Sequence, residues 1–156
     1  MKTYSFAPIS AREYPTLHIL DNPYIWGGVG FALNVSEKPY PAEIIKAMTE
    51  KGIQWEQISV SETDFSMSWL QSLIKGVSSL NDAYKNGLKM VVHCDFGNNR
   101  SRTFIEAFHF FLTGEEFPDE YKSEFNHLAY NCKIGHFESL KDVEDALRAL
   151  SHTHVK

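Results

Sequence analysis

Long apolar runs are missing from this 156-residue chain, and so is a strong excess of one charge. A bilayer-spanning helix needs about 20 mostly apolar residues, and no stretch here approaches that length. The first ten residues lack the apolar centre of a signal peptide. Cysteine is scarce: Cys94 and Cys132 are the two present, too few for a disulfide framework and suited to a reducing interior, so a cytoplasmic location is expected. A formal net charge of −5 gives no general attraction to nucleic acid or to an anionic membrane. Internal repeats and low-complexity linkers are also absent. The length is that of one domain with one core, so residues 1–156 read as a single unit.

What the chain does have is an alternation of strand-like and helix-like segments. Residues 24–35 are strand-rich around Gly27-Gly28, and 41–51 reads as a helix with Pro41 near its first turn and Gly52 at its end. Residues 53–60 alternate like a strand. Over 65–84, Trp69, Leu70, Leu73, Ile74, Val77 and Leu80 recur at helical spacing and end before Asn86-Gly87. Residues 88–92 form a short apolar run of the kind buried on both faces of a parallel sheet. A helix over 101–112, closed by Gly114, and two more over 118–131 and 139–150 complete the pattern. It predicts an α/β fold with a central, mainly parallel sheet flanked by helices.

The informative segment is His93-Cys94-Asp95-Phe96-Gly97-Asn98-Asn99-Arg100-Ser101. The strand before it delivers Cys94 to the carboxyl edge of the sheet, where open α/β folds place their ligands. Gly97 and the two Asn tolerate left-handed backbone, which lets successive amides turn inward as an anion nest. The following helix presents its N-terminus, with free amides and a favourable dipole, to the same point. A cysteine in that setting, beside an arginine, is placed to act as a nucleophilic thiolate. Arg100 can grip a tetrahedral phosphate with two parallel donors, which a lysine cannot do. Ser101 can donate to the sulfur, and His93 can donate to loop carbonyls. A metal site fits poorly, because His93, Cys94 and Asp95 are consecutive and strand side chains alternate in direction.

The order His93-Cys94, five residues, Arg100-Ser101, with Gly97 at the glycine position, resembles the signature loop of the cysteine-dependent protein tyrosine phosphatases. The flanking chain is most similar to their small dual-specificity branch: residues 31–37 resemble its early buried strand, and Gly52-Ile53 before Ile58-Ser59-Val60 its next helix-to-strand step. The resemblance spans about residues 17–112. It implies a phosphocysteine intermediate on Cys94, with Asp95, Phe96, Gly97, Asn98, Asn99 and Arg100 surrounding the substrate phosphate, and no metal or cofactor. It also implies a general acid, usually an Asp on a loop before the nucleophile, to protonate the leaving oxygen. Glu62 and Asp64 are the candidates. Spacing favours Glu62, and residue type favours Asp64, which is preferred here; the idle one would be a carboxylate at a helix start.

Other residues take plainer readings. Trp26, Trp55 and Trp69 are expected in the core. Phe96 either flanks the pocket, where it could stack on a substrate ring, or packs inward. Cys132 reads as structural, with a resolving-thiol role as the alternative. Arg102 reads as a surface or supporting residue, and His152 and His154 as part of a disordered tail. The signature segment holds no Lys, and Asp95 disfavours substrates with several phosphates. The expected partner is therefore a singly phosphorylated protein or peptide, phosphotyrosine first. The competing readings are a phosphate-binding module without turnover, and a phosphatase of phosphoinositides or small phosphomonoesters.

Overall fold

Lys89–His93, strand β5, is the centre of the sheet, and its position explains its apolar sequence. It lies between β2 (Ile9–Arg12) and β3 (Val29–Asn34) and is parallel to both. Beyond β3 lies the parallel edge strand β4 (Gln54–Gln57), and β1 (Lys2–Tyr4) joins β2 antiparallel, giving the order β1-β2-β5-β3-β4. This computed structural model describes residues 2–118, 120 and 126–154.

Alternation along the strands divides the interior into two cores. Met90 and Val92 point into the larger one with Leu33, Leu73, Val77, Phe104 and Phe108, and Cys94 continues that face. Val91 points the opposite way, with Ala32, Trp26, Ile44 and Met48. The larger core is covered by α3 (Leu70–Lys85), α4 (Asn99–Thr113), α5 (His127–Ile134) and α6 (Leu140–His154); α1 (Leu17–Leu20) and α2 (Ala42–Glu50) cover the smaller. The α/β architecture with a mainly parallel sheet agrees with the sequence reading. Among the described residues, no helix is long and apolar enough to cross a membrane.

Several boundaries differ from the sequence reading. The strand expected over 24–35 is confined to β3, because 24–28 forms turns in which Trp26 N and Gly27 N bond back to the carbonyls of Asn22 and Pro23. The helix expected from residue 65 begins at Leu70, because the Asp64 carboxylate accepts from the Ser66 amide and hydroxyl and fixes a turn instead. Helix α4 begins at Asn99, two residues before the expected start, and ends as expected at Gly114, which takes φ +73. Of the helix expected over 118–131, residues 119 and 121–125 lie outside the described residues, and α5 occupies His127–Ile134. Residues 152 and 154 continue α6 rather than forming a disordered tail. Trp26 and Trp69 are buried, but Trp55 is 37% exposed, since it sits on the edge strand.

Candidate active site

The loop between β5 and α4 is held from three sides. The His93 carbonyl accepts from Val35 N at 2.9 Å, the Asp95 carbonyl accepts from Tyr14 N at 3.1 Å, and Gly97 lies against the backbone of Arg12. Gly97 has φ +72, and a Cβ built there would lie 2.6 Å from the Arg12 carbonyl carbon, which as backbone cannot yield. Left-handed backbone alone costs a non-glycine residue roughly 1–2 kcal/mol. Gly97→Ala is accordingly expected to lower stability by about 2 kcal/mol or more and to distort the loop; urea unfolding and aryl phosphate turnover, measured on one preparation, check both effects.

His93 is fully buried at the end of β5. Its Nε2 lies 2.5 Å from the Tyr40 hydroxyl, its Nδ1 3.4 Å from the Cys94 carbonyl, and the rings of Tyr14 and Trp26 pack on it. Burial pushes its pKa down to about 4 and raises that of Tyr40, so neutral His93 accepts from the Tyr40 hydroxyl and its Nδ1–H faces the loop carbonyl. Its place is thus in holding the loop. Because the unfolded chain binds this proton near pH 6.5 and the folded chain only near 4, the stability is present above 6.5 and is lost as pH falls between those values. The loss amounts to about 3 kcal/mol, and His127, also lowered to about 4 chiefly by burial, adds to it in the same window. Urea unfolding at pH 7 and pH 4.5 should show a smaller acid loss in His93→Gln than in wild type.

Cys94 is 3% exposed at the base of a cavity of about 490 Å³. Its Sγ lies 3.6 Å from the hydroxyl of the fully buried Ser101, on the first turns of α4. No side chain caps this helix at Asn98, and the first amides of a helix have no partner within it, so they are available to an anion beside the sulfur. Arg100, also in the first turn of α4, is buried. Its Nη1 donates to the Val60 carbonyl at 3.1 Å, its Nη2 to the Asp95 carboxylate at 2.9 Å, and its Nε lies 3.6 Å from Glu62 Oε1.

The two acid candidates part company in space. Glu62 lines the cavity with Thr63, and its Oε1 accepts from Asn99 Nδ2 at 3.1 Å. Asn99 is held in turn by Asn131, whose buried amide donates to Asn99 Oδ1, to Thr103 Oγ1 and to the His127 carbonyl. Behind Glu62, Trp69 Nε1 donates to the Ser61 carbonyl at 3.0 Å, and His136 stacks between Trp69 and Phe65. Asp64, preferred on residue type, is exposed and outside the cavity lining, and the hydroxyl and amide of Ser66 hold its carboxyl below the usual carboxylate range. Asp95, Phe96, Asn98 and Asn99 also line the cavity; Phe96, 85% exposed, projects from its rim. Gly97 shapes the loop from beneath and is outside the lining. Cys132 is part-buried on α5, with its thiol pushed up by burial and then by Asp142, Glu106 and Glu144.

No family model matches the sequence, and neither does any curated protein. Solved structures do match the fold. A mutant form of Tk-PTP aligns over 97% of this chain and 94% of its own, with a TM-score of 0.62 at 16% identity. PTPMT1 aligns over 93% and 90%, with 0.59 at 17% identity, and the core catalytic domain of the PP-IP phosphatase SIW14 from S. cerevisiae over 91% and 80%, with 0.57 at 15% identity. The chain shares its fold with these solved structures.

The site also includes residues the sequence reading passed over. Glu37 lines the cavity from just beyond β3, and Tyr40 holds His93. A signal for Glu37 was available: β3 is parallel to β5, and segments leaving the carboxyl ends of adjacent parallel strands share one crevice. Tyr40, Asn131 and His136 carried no such signal, since only tertiary packing brings them near.

Proposed function

We propose that the protein hydrolyses phosphomonoesters through a phosphocysteine intermediate, with a singly phosphorylated protein side chain, phosphotyrosine first, as substrate. The observation that carries this reading is the meeting of Cys94, Arg100 and Glu62 around one cavity at a helix N-terminus, with the Ser101 hydroxyl 3.6 Å from the sulfur. In the first step the Cys94 thiolate attacks phosphorus, the P–S bond forms, the P–O bond to the substrate breaks, and Glu62 protonates the departing oxygen. Arg100 and the loop amides hold the phosphoryl oxygens as charge redistributes. In the second step Glu62, now a carboxylate, takes a proton from water; the water oxygen bonds to phosphorus and the P–S bond breaks. Ser101 donates to the departing thiolate, and inorganic phosphate leaves.

Two features favour a phosphotyrosine over a polyphosphate. Among the described residues, the cavity lining contains Arg100 as its one cationic side chain against Glu37, Glu62 and Asp95. Phe96 at the rim offers a face for an aromatic ring. The phosphoinositide reading draws on the neighbours, since one structure is PTPMT1 in complex with PI(5)P and SIW14 is a PP-IP phosphatase. A panel of a phosphotyrosine peptide, a phosphoserine peptide, a phosphoinositide and an inositol polyphosphate, each with chelator present, separates them. The phosphotyrosine peptide should lead; a lead for either inositol compound would reassign the substrate.

A further inference from the structure

Arg100 is already engaged by protein carboxylates, and this bears on which substrates suit the site. Its side chain is 8% exposed, and its Nη2, a donor needed for a two-point grip on phosphate, is bonded to Asp95 at 2.9 Å. A phosphoryl oxygen that approaches this nitrogen competes with the Asp95 carboxylate for it. That carboxylate is 44% exposed, so it has room to turn outward, into a cavity whose other charged lining residues besides Arg100 are Glu37 and Glu62. Lys38, beside Glu37 in sequence, does not compensate: its Nζ sits 4.4 Å from the centre of the Tyr14 ring and is outside the cavity lining. Phosphate binding thus makes Asp95 share its cation and adds negative charge to a rim that already carries Glu37.

We propose that the rim selects phosphorylated residues flanked by basic side chains, the phosphate competing with Asp95 for Arg100 while a substrate Lys or Arg sits beside Asp95 and Glu37. The inference rests on the phosphatase reading and narrows its substrate class to basic phosphopeptides. A substrate cation keeps positive charge beside Asp95, whereas a phosphopeptide flanked by acids meets like charge on entering, which acts on both encounter rate and affinity.

The test compares two phosphotyrosine peptides identical except that Arg or Glu occupies both neighbouring positions. At low salt the Arg peptide should have a kcat/KM about tenfold higher, as expected of exposed ion pairs acting together. The ratio should shrink toward one at high salt. Glu37→Gln should narrow the ratio several-fold. Equal kcat/KM values, or a preference for the Glu peptide, in an enzyme that turns over aryl phosphate would overturn the inference and leave the phosphatase reading standing. Fluorescence anisotropy of the same peptides on Cys94→Ser gives the preference without turnover. If wild type hydrolyses nothing, the phosphatase reading fails and the inference falls with it.

Discussion

Arg100→Lys is expected to lower kcat/KM for an aryl phosphate by roughly a hundred- to a thousandfold, the cost of removing one well-placed donor to a developing oxyanion. The guanidinium donates to the Val60 carbonyl and to Asp95 and lies in ion-pair range of Glu62. Its planar fork thereby stays aimed into the cavity, and two of its nitrogens can turn to phosphate together. A lysine has one nitrogen on a flexible stem and cannot span these partners or match a phosphoryl face. Stability should change little, by about 1 kcal/mol. The Val60 carbonyl loses its donor, but Asp95 and Glu62 are each 44% exposed and can turn to water. Steady-state kinetics with a urea unfolding curve on the same protein distinguishes the two effects. Retention of activity within a few-fold would mean that the phosphate is held elsewhere.

The second large effect separates the two acids. Glu62→Gln should reduce turnover by roughly a hundredfold or more and flatten the basic limb of the pH profile, as loss of a general acid does. Asp64→Asn should leave turnover nearly unchanged, because its carboxylate caps a turn at Ser66 instead of facing Cys94. The loss in Glu62→Gln should be greatest for substrates with poor leaving groups, whose oxygen most needs the proton. The reverse pattern, with Asp64→Asn impaired and Glu62→Gln intact, would move the acid to Asp64.

These residues also mark where the sequence was legible. The run Met90 to Val92 was readable as a central strand because burial on both faces removes polar alternation, and every one of these side chains is inaccessible to water. The order His93, Cys94, Gly97, Arg100, Ser101 was readable because the chemistry needs those types within one turn of chain. The edge strand β4, Gln54 to Gln57, was readable only loosely, since an edge needs little apolar sequence. Strands β1 and β2 escaped notice because they are short, and their pairing with each other and with β5 is settled by tertiary contact.

For the acid, residue type pointed to Asp64 and spacing to Glu62. The difference between them is a local turn: the Ser66 amide and hydroxyl satisfy Asp64, while Asn99, fixed by Asn131, draws Glu62 toward Arg100. That partnership joins a loop, a helix start and a second helix, and no periodicity in the sequence reports it.

Hydrolysis of an aryl phosphate by freshly reduced wild type and by Cys94→Ser, with chelator present, tests the central claim most directly. Cys94→Ser keeps the cavity, Arg100 and Glu62 but replaces the attacking sulfur. Activity that persists in chelator and disappears in Cys94→Ser is the predicted result. Equal activity in the two proteins, or none in the wild type, would contradict a phosphocysteine mechanism.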